Sequence, residues 1–258
     1  MTSTKRSLEP PGSPGWWSRR PTVRVYRRGR PPRSLERIVT VALELLDEVG
    51  TDAFSMRLLA DRLGSGTATI YRHLSGKDEL MVYVVDRLLG EVDIDADVLS
   101  STTWQDATAR GASAFYEVLQ KHPNVLPLLI GQVPVGPNAL LNRERSLAVL
   151  LACGFPLDLA ARAYAAVAHY VVGFALQQHA PRVTQREDAA NLRDFYQALD
   201  STTYPATVAV AFELTSVPPR EEFQFGLQLV LDGIEHARRP AGGARARRAP
   251  PRHSGAPT

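Results

Sequence analysis

The chain has 258 residues, of which 44% are hydrophobic, and a formal net charge of +3, so its apolar side chains suffice for the core of one large domain or two small ones. Its single cysteine, Cys153, excludes an internal disulfide and a zinc site built from cysteines. The longest apolar run, residues 163–176, is shorter than the roughly 18 residues of a membrane span, and no secretory leader pattern is present, so we expect a cytoplasmic protein with no membrane partner.

Positive charge is concentrated at the two ends of the chain. Residues 1–37 hold ten Lys and Arg against two Glu, and residues 238–258 hold six Arg and no acidic residue. Both ends are rich in Gly and Pro, a composition that buries too little apolar surface to offset the entropy of ordering. We therefore predict a basic disordered arm over 1–33 and a basic disordered tail over 239–258. The tail is interpreted equally well as a solvated segment that improves solubility.

The segment 34–92 has the pattern of a small helical domain. Apolar residues recur every three or four positions between Ser34, a suitable N-cap, and Gly50, a suitable stop, which predicts the first helix. Shorter helices are predicted from Ser55 to Gly64, from about Thr67, and after Ser75. Ser75 and Asp78 have the spacing of residues that cap each other's backbone N–H groups.

An acidic link over about 93–103 separates this domain from a larger one at 103–238. Its apolar periodicity is helical throughout, and we find no alternating strand and no internal repeat. The predicted helices span approximately residues 104–121, 137–153, 157–179, 187–199, 206–214 and 221–238. The predicted fold is therefore all-α, with an N-terminal three-helix domain and a larger helical domain.

The glycine pair in the stretch LGSGTATIYRHLSGKDEL, residues 63–80, fits neither spacing of a phosphate-binding loop. Two short helices joined across a tight turn at Gly64 fit a helix-turn-helix, because glycine lets the chain reverse where a side chain would clash. The polar side of the second helix suits the major groove of DNA, since Thr67 and Thr69 offer a hydroxyl and a methyl and Arg72 reaches a guanine or a phosphate.

Each of these positions also has a purely structural interpretation. Thr67 fits an N-cap, Tyr71 a rim aromatic and Lys77 a solvated charge, whereas Tyr71 and Lys77 also suit phosphate contacts. Taken together in this order, these residues favour DNA binding. The arm directly precedes the first helix, which would tether its arginines beside the duplex. The predicted DNA-binding residues are Ser55, Arg57, Thr67, Ala68, Thr69, Tyr71, Arg72, His73 and Lys77, with Arg28, Arg30 and Arg33 of the arm.

Residues 38–80 resemble the N-terminal DNA-binding domain of the tetracycline-repressor (TetR) family of bacterial transcription regulators. The resemblance rests on Ala-x-x-Leu-Leu-x-x-x-Gly at 42–50, Met-Arg-x-Leu-Ala-x-x-Leu-Gly at 56–64, and Tyr-Arg-His followed by Lys-Asp-Glu-Leu. Ser65 and Gly66 depart from the family's usual turn valine and capping serine. The resemblance implies a transcription regulator, usually a repressor, that binds a double-stranded DNA operator and is released by a small-molecule effector.

A weaker similarity to the ligand-binding and dimerisation core of the tetracycline repressors continues to about Ala237. There the family holds a magnesium–drug complex through a histidine just ahead of the glycine aligned with Gly131 and through a glutamate aligned with Gln177. Leu129 and Gln177 of this chain cannot supply those ligands. We therefore expect no metal and no cofactor, and an apolar effector of unknown identity in a mostly apolar pocket.

Two sets of residues are predicted in the larger domain. The pocket residues are Phe115, Tyr116, His169, Tyr170 and Gln177, although His169 is also interpretable as a core histidine. The predicted homodimer interface follows the spacing of the last helix and a glycine that permits close approach, and an intramolecular core explains it almost as well. Its residues are Gly173, Phe223, Leu227, Val230 and Ile234.

Two other classes of function compete with a ligand-responsive regulator. An enzyme would need a cluster of acid, base or nucleophile, and the six histidines show no metal-ligand spacing, so we expect no catalysis. A DNA-binding architectural protein or a helical interaction protein, each without an effector, remains the alternative. DNA recognition favours the homodimer over a purely intramolecular core, because a single short recognition helix contacts few bases and two copies about 34 to 36 Å apart would read a palindrome.

Overall fold

The structure is a computed structural model that describes residues 9–20, 34–93, 103–130, 133–179 and 188–239. These residues form α-helices and one 3-10 segment, and no strand occurs within those ranges, so the predicted all-α fold is confirmed. The helices are α1 Pro14–Ser18, α2 Ser34–Ala53, α3 Met56–Arg62, α4 Thr67–Tyr71, α5 Lys77–Leu89, α6 Trp104–Lys121, α7 Pro137–Ala152, α8 Leu157–His179, α9 Asp188–Gln197, α10 Pro205–Ala209, α11 Glu213–Ser216 and α12 Pro219–Arg238; the 3-10 segment is Pro123–Leu129.

Helices α2 to α5 form the small N-terminal domain. Gly50 has a φ of +76° inside α2, a left-handed backbone that favours glycine and that breaks the helix at the predicted stop. The Ser55 hydroxyl caps α3 by accepting the N–H of Leu58 at 3.2 Å. Gly64, with a φ of +63°, ends α3 and turns the chain into α4. The predicted helix-turn-helix is thus built from two short helices and a glycine turn.

The cap of α5 differs from the predicted pair of Ser75 and Asp78. Gly76 occupies the N-cap position, and both the backbone N–H and the hydroxyl of Ser75 donate to the Glu79 carboxylate, the N–H at 2.8 Å. Because the helix begins at Lys77, one residue later than expected, the third helical position falls on Glu79. Glu79 is therefore the acid that reaches back to the start of the helix.

One continuous hydrophobic core joins the small domain to the larger one. Helix α2 packs on α5 and on the 3-10 segment, α5 packs on α7, and α8 contacts α6, α7 and α12. The side chains of Leu45, Leu80 and Leu119 are fully buried in this core. The two domains therefore share a packed junction.

Helix α8 is long and apolar enough to cross a membrane by length and composition, with 23 residues and a mean hydropathy of 1.4. It contacts three neighbouring helices of the larger domain, and 28% of its apolar window is buried among the described residues. The predicted single helix at 206–214 is wrong, because the chain there forms two short helices, α10 and α11, separated at residues 210–212.

The N-terminal segment 9–20 is folded, so the prediction of disorder over 1–33 is wrong for this part of the arm. Ser13 caps α1, and Trp16 is only 6% exposed. The rings of Trp16 and Trp17 each lie 5.4 Å from the ring of Tyr83 on α5. Two large aromatic side chains bury enough surface to order this short segment. The rest of the arm, with Arg28, Arg30 and Arg33, and the tail from residue 240 lie outside the described residues.

Candidate DNA-binding surface and effector cavity

Helix α4 presents a short polar surface. Thr67, Ala68, Tyr71 and Arg72 are exposed, as is His73 just after the helix, while Ile70 is fully buried and anchors the helix on the domain. Thr69 is half-buried, and its hydroxyl lies 3.4 Å from the Arg72 guanidinium as hydrogen-bond acceptor. The predicted recognition residues of α4 are therefore accessible, with Thr69 partly so.

Ser55, Arg57 and Lys77 flank this surface from the neighbouring helices. Ser55 and Arg57 are exposed at the start of α3. The ammonium group of Lys77 is not entirely free for the predicted phosphate contact. It donates to the carbonyls of Thr51 at 3.2 Å and Phe54 at 3.1 Å. An ammonium favours such carbonyl groups where a helix ends. Its third N–H remains for another acceptor.

Asp86 on α5 joins the DNA-binding domain to α7. Its carboxylate accepts the backbone N–H groups of Asn138 at 3.1 Å and Ala139 at 3.2 Å, and the Asn138 side-chain amide at 3.0 Å. Asp86 is only 7% exposed, and this burial raises its pKa from 3.8 to about 6, against the lowering effect of the hydrogen bonds. The carboxylate thus caps the first turn of α7 from a neighbouring helix.

Gly136 precedes α7 and permits this close approach. A Cβ atom at Gly136 would lie 2.2 Å from an Asp86 carboxylate oxygen and 2.9 Å from Cζ2 of Trp17. Any side chain would therefore separate α5, α7 and the N-terminal segment.

A second polar junction lies at His122, after α6. Its ring nitrogens contact Asp47 of α2 at 2.6 Å and Glu91 at 3.1 Å, and the imidazole is buried. Burial raises the pKa of the Asp47 carboxyl. Burial also acts to raise the pKa of Glu91, but hydrogen bonds from Lys121 and His122 hold it below its usual value. The cluster ties the small domain to the end of α6.

A cavity of about 790 Å³ lies among α6, α7 and α8, within the size range of small-molecule sites. Of the five predicted pocket residues, Phe115 and His169 line it. Sequence reasoning missed a set of polar side chains that also line it. They are Thr108, Asn142, Arg143, Arg145, Ser146 and Tyr164.

Three predicted pocket residues lie elsewhere. Tyr116 stacks on Phe223 with ring centroids 4.0 Å apart, and the Tyr170 hydroxyl donates to the Phe223 carbonyl at 2.8 Å. Gln177 lies on an exposed side of α8. The two tyrosines face α12 instead of the cavity because an aromatic cluster around Phe223 fills that side of α8.

Most of the predicted dimer residues of α12 belong to the core of their own chain. Phe223, Leu227 and Ile234 are buried against it, and Val230 is half-buried. The close approach of α8 and α12 occurs at Gly226, where a Cβ would lie 2.3 Å from the Tyr170 hydroxyl. A Cβ at Gly173 would meet nothing within 4 Å, so this glycine is not needed for packing inside the chain.

The opposite side of α12 carries large apolar side chains that the described residues leave uncovered. Phe225 is 69% exposed and Leu229 is 56% exposed, one helical turn apart. In the described part of the chain, no three His, Cys, Asp or Glu side chains are grouped to hold a metal ion.

A helix-turn-helix domain packed on a helical domain with a ligand-sized cavity defines a one-component transcription regulator. The model of the tetR family of bacterial regulatory proteins matches residues 38–84, and the model of the tetracyclin repressor-like C-terminal domain matches residues 99–238. The chain belongs to the TetR family.

Named relatives support this assignment over most of the chain. The HTH-type transcriptional repressor DrrR1 of Streptomyces coeruleorubidus is 32% identical over 220 residues, 82% of this chain and 81% of DrrR1. An HTH-type transcriptional regulator of Saccharopolyspora erythraea is 34% identical over 237 residues, 91% of this chain and 97% of the relative. The TetR family protein ActR of Streptomyces coelicolor, solved in complex with actinorhodin, superposes with a TM-score of 0.71 at 29% identity and covers 80% of this chain and 99% of ActR.

Proposed function

We propose that this protein is a cytoplasmic, homodimeric repressor that binds a palindromic operator and is released when a small molecule occupies the cavity. The observation that carries the proposal is the Asp86 contact, which links the helix that follows α4 to a helix that forms a wall of the cavity. A ligand that moves α7 thereby acts on α5. An allosteric coupling of about 1 to 3 kcal/mol would weaken operator binding about 5- to 150-fold.

The exposed side of α4 is the proposed reading surface. Thr67, Ala68 and Thr69 are short enough to let the helix enter the major groove, and Arg72 reaches a guanine or a phosphate. Tyr71 and His73, with Ser55, Arg57 and the free N–H of Lys77 at the rim, are proposed to contact phosphates. Two such surfaces about 34 to 36 Å apart would read the two halves of a palindrome.

The basic arm adds a proposed second contact to DNA. Arg28, Arg30 and Arg33 precede α2 directly in the sequence, which tethers them beside the duplex. Each phosphate contact contributes about 0.9 to the slope of log affinity against log salt concentration. Deletion of residues 21–33 should therefore flatten this slope, and an unchanged slope would exclude the arm from the interface.

The homodimer is proposed to form through the uncovered sides of α8 and α12. Gly173 on α8 lines the cavity and has open space beside it, so the apolar surface for the interface comes mainly from Phe225 and Leu229 on α12, which no described residue of the same chain covers. Two copies of each helix would then form a four-helix interface.

Small-molecule release is supported by the cavity and by a neighbour. ActR, the structural relative, has been solved with actinorhodin and with (S)-DNPA. The alternative is a DNA-binding architectural protein or an interaction protein without an effector. Under that alternative, the cavity of about 790 Å³ would have no ligand to bind.

A gel-shift assay with the DNA upstream of the protein's own gene tests the operator function. We expect one discrete complex that resists nonspecific competitor, and Arg72→Ala should weaken it by about fivefold or more. Arg110→Ala, an exposed position on α6, is the matched control and should bind like the parent. A smear that competitor DNA removes would favour the architectural alternative, and no shift at all would favour the interaction protein.

A further inference from the structure

The charged side chains that line the cavity are all basic or histidine. Arg143, Arg145 and His169 line it, and no Asp or Glu is among the described lining residues. Within the described residues, no ion pair joins Arg143 or Arg145 to a carboxylate, whereas Arg62 pairs with Glu48 and Arg162 with Asp158. A guanidinium beside a mostly apolar wall is stabilised by an anion that replaces its lost hydration.

Arg143 is held in place by two neutral acceptors. Its Nη2 donates to the carbonyl of Pro134 at 3.0 Å, and its Nε approaches the Tyr164 hydroxyl at 3.4 Å. These contacts fix the half-buried guanidinium at the cavity wall without neutralising it. A guanidinium has five N–H donors, so the remaining ones are available to a ligand.

Aromatic side chains form part of the cavity wall. Trp104 lines the cavity and is only 4% exposed, and the rings of Phe115 and Tyr164 line it as well. The indole Nε1 of Trp104 has no hydrogen-bond partner among the described residues, but this atom is itself buried and does not open on the cavity. The aromatic wall therefore suits a flat ring system.

We propose, resting on the release function above, that the effector is a planar aromatic acid. Its carboxylate pairs with Arg143. Aromatic rings fill the apolar part of the cavity, and several fused rings fit the available volume of about 790 Å³.

Calorimetric titration with two probes of the same shape tests the charge requirement. Anthraquinone-2-carboxylate should bind the full-length protein at least about tenfold more tightly than the neutral anthraquinone-2-carboxamide, because a charge-assisted hydrogen bond is lost in the amide. Equal affinity for acid and amide, or no binding of either probe, would overturn the proposal.

Substitutions separate the charge from the packing. Arg143→Met should remove the preference for the acid and leave the amide affinity within about twofold, which also shows that the variant is folded. Arg143→Lys should retain the preference, and Arg110→Met, outside the cavity, should leave both affinities unchanged. A loss of acid and amide affinity in equal measure in Arg143→Met would show that Arg143 only supports the cavity wall.

The operator assay keeps this proposal distinct from the release function. If the parent and Arg143→Met both form the discrete DNA complex while acid and amide bind equally, the regulator stands and the aromatic-acid effector is wrong. If the parent forms no complex with operator DNA, the proposed function fails whichever probe binds.

Discussion

Asp86 illustrates how one buried carboxylate sets the geometry between two helices. Its oxygens satisfy the two backbone N–H groups of Asn138 and Ala139, which no side-chain cap of α7 itself covers. Burial shifts the pKa upward to about 6, so the folded chain holds the Asp86 proton more tightly than the unfolded chain does.

The stability contributed by Asp86 should therefore fall as the pH rises from about 4 to about 6, by about 3 kcal/mol across that interval. The Asp86→Asn variant has no group that titrates at this position. Its free energy of unfolding, relative to that of the parent, should therefore rise across the same interval. The new amide lies unfavourably against the Asn138 amide, which lowers the stability of the variant at every pH. Urea unfolding of both proteins between pH 4 and pH 7 measures the difference. A difference that stays flat would contradict a raised pKa.

The exposure or burial of a side chain could be predicted from the sequence where it follows from local spacing. The exposure of Thr67 and Arg72 and the burial of Ile70 follow from helical periodicity alone. The partners of Lys77 could not be predicted, because the carbonyls of Thr51, near the end of α2, and Phe54, just after it, reach Lys77 only through the tertiary fold.

Helix α12 shows why an interface is hard to assign from one sequence. The stripe formed by Phe223, Leu227, Val230 and Ile234 repeats at three- and four-residue steps, and that spacing is the same for packing inside a chain and between chains. The structure assigns the stripe to the core and leaves Phe225 and Leu229 on the other side. Sequence therefore predicted the helix and its apolar face, and only the tertiary contacts show which partner covers that face.

Leu229→Glu should dissociate the proposed dimer, because it places a charge in an apolar interface. The folded monomer should survive, since Leu229 is already 56% exposed. Sedimentation velocity at several protein concentrations measures the shift from dimer to monomer.

Phe223→Ala is the matched comparison on the buried side of α12. It should lower the free energy of unfolding by about 3 to 5 kcal/mol through cavity formation, without a comparable loss of dimer in the protein that remains folded. Unchanged association in Leu229→Glu would move the interface away from this side of α12.

At the scale of the whole molecule, the N-terminal segment 9–20 spans the junction of the two domains. The Arg20 guanidinium lies 3.5 Å from the Trp16 ring and forms an ion pair with Glu79, the residue that caps α5. Trp17 meanwhile lies near Gly136 at the start of α7. The segment thus contacts both the helix that follows α4 and the helix that borders the cavity.

Trp16→Ala should lower the free energy of unfolding by about 3 kcal/mol or more, because a buried indole is removed. Trp16→Phe keeps an aromatic ring and should cost less. Chemical denaturation of the full-length protein gives both values. Parent-like stability of Trp16→Ala would mean that segment 9–20 adds nothing to the fold.

The predicted domain boundary rests on the acidic link over about 93–103, on both sides of which the apolar periodicity is helical. The walls of the cavity were not predictable in the same way. The stretch Asn-Arg-Glu-Arg-Ser at 142–146 has the composition of a solvated helix face, and only the packing of α7 on α8 turns Arg143 and Ser146 toward a cavity. The folding of segment 9–20 could not be predicted from the composition of the arm for a similar reason. Trp16 and Trp17 pack on Tyr83, which lies far away in the sequence.

The crowding at Gly136 has a practical consequence for building hybrid regulators. A chimera that keeps residues 34–93 of this chain and takes its sensor from a relative would lose the match among Trp17, Asp86 and Gly136, where no Cβ fits. A hybrid that takes the sensor domain of this chain, with Gly136, would therefore also need residues 9–20. These residues precede the DNA-binding domain in the sequence, whereas the sensor domain follows it.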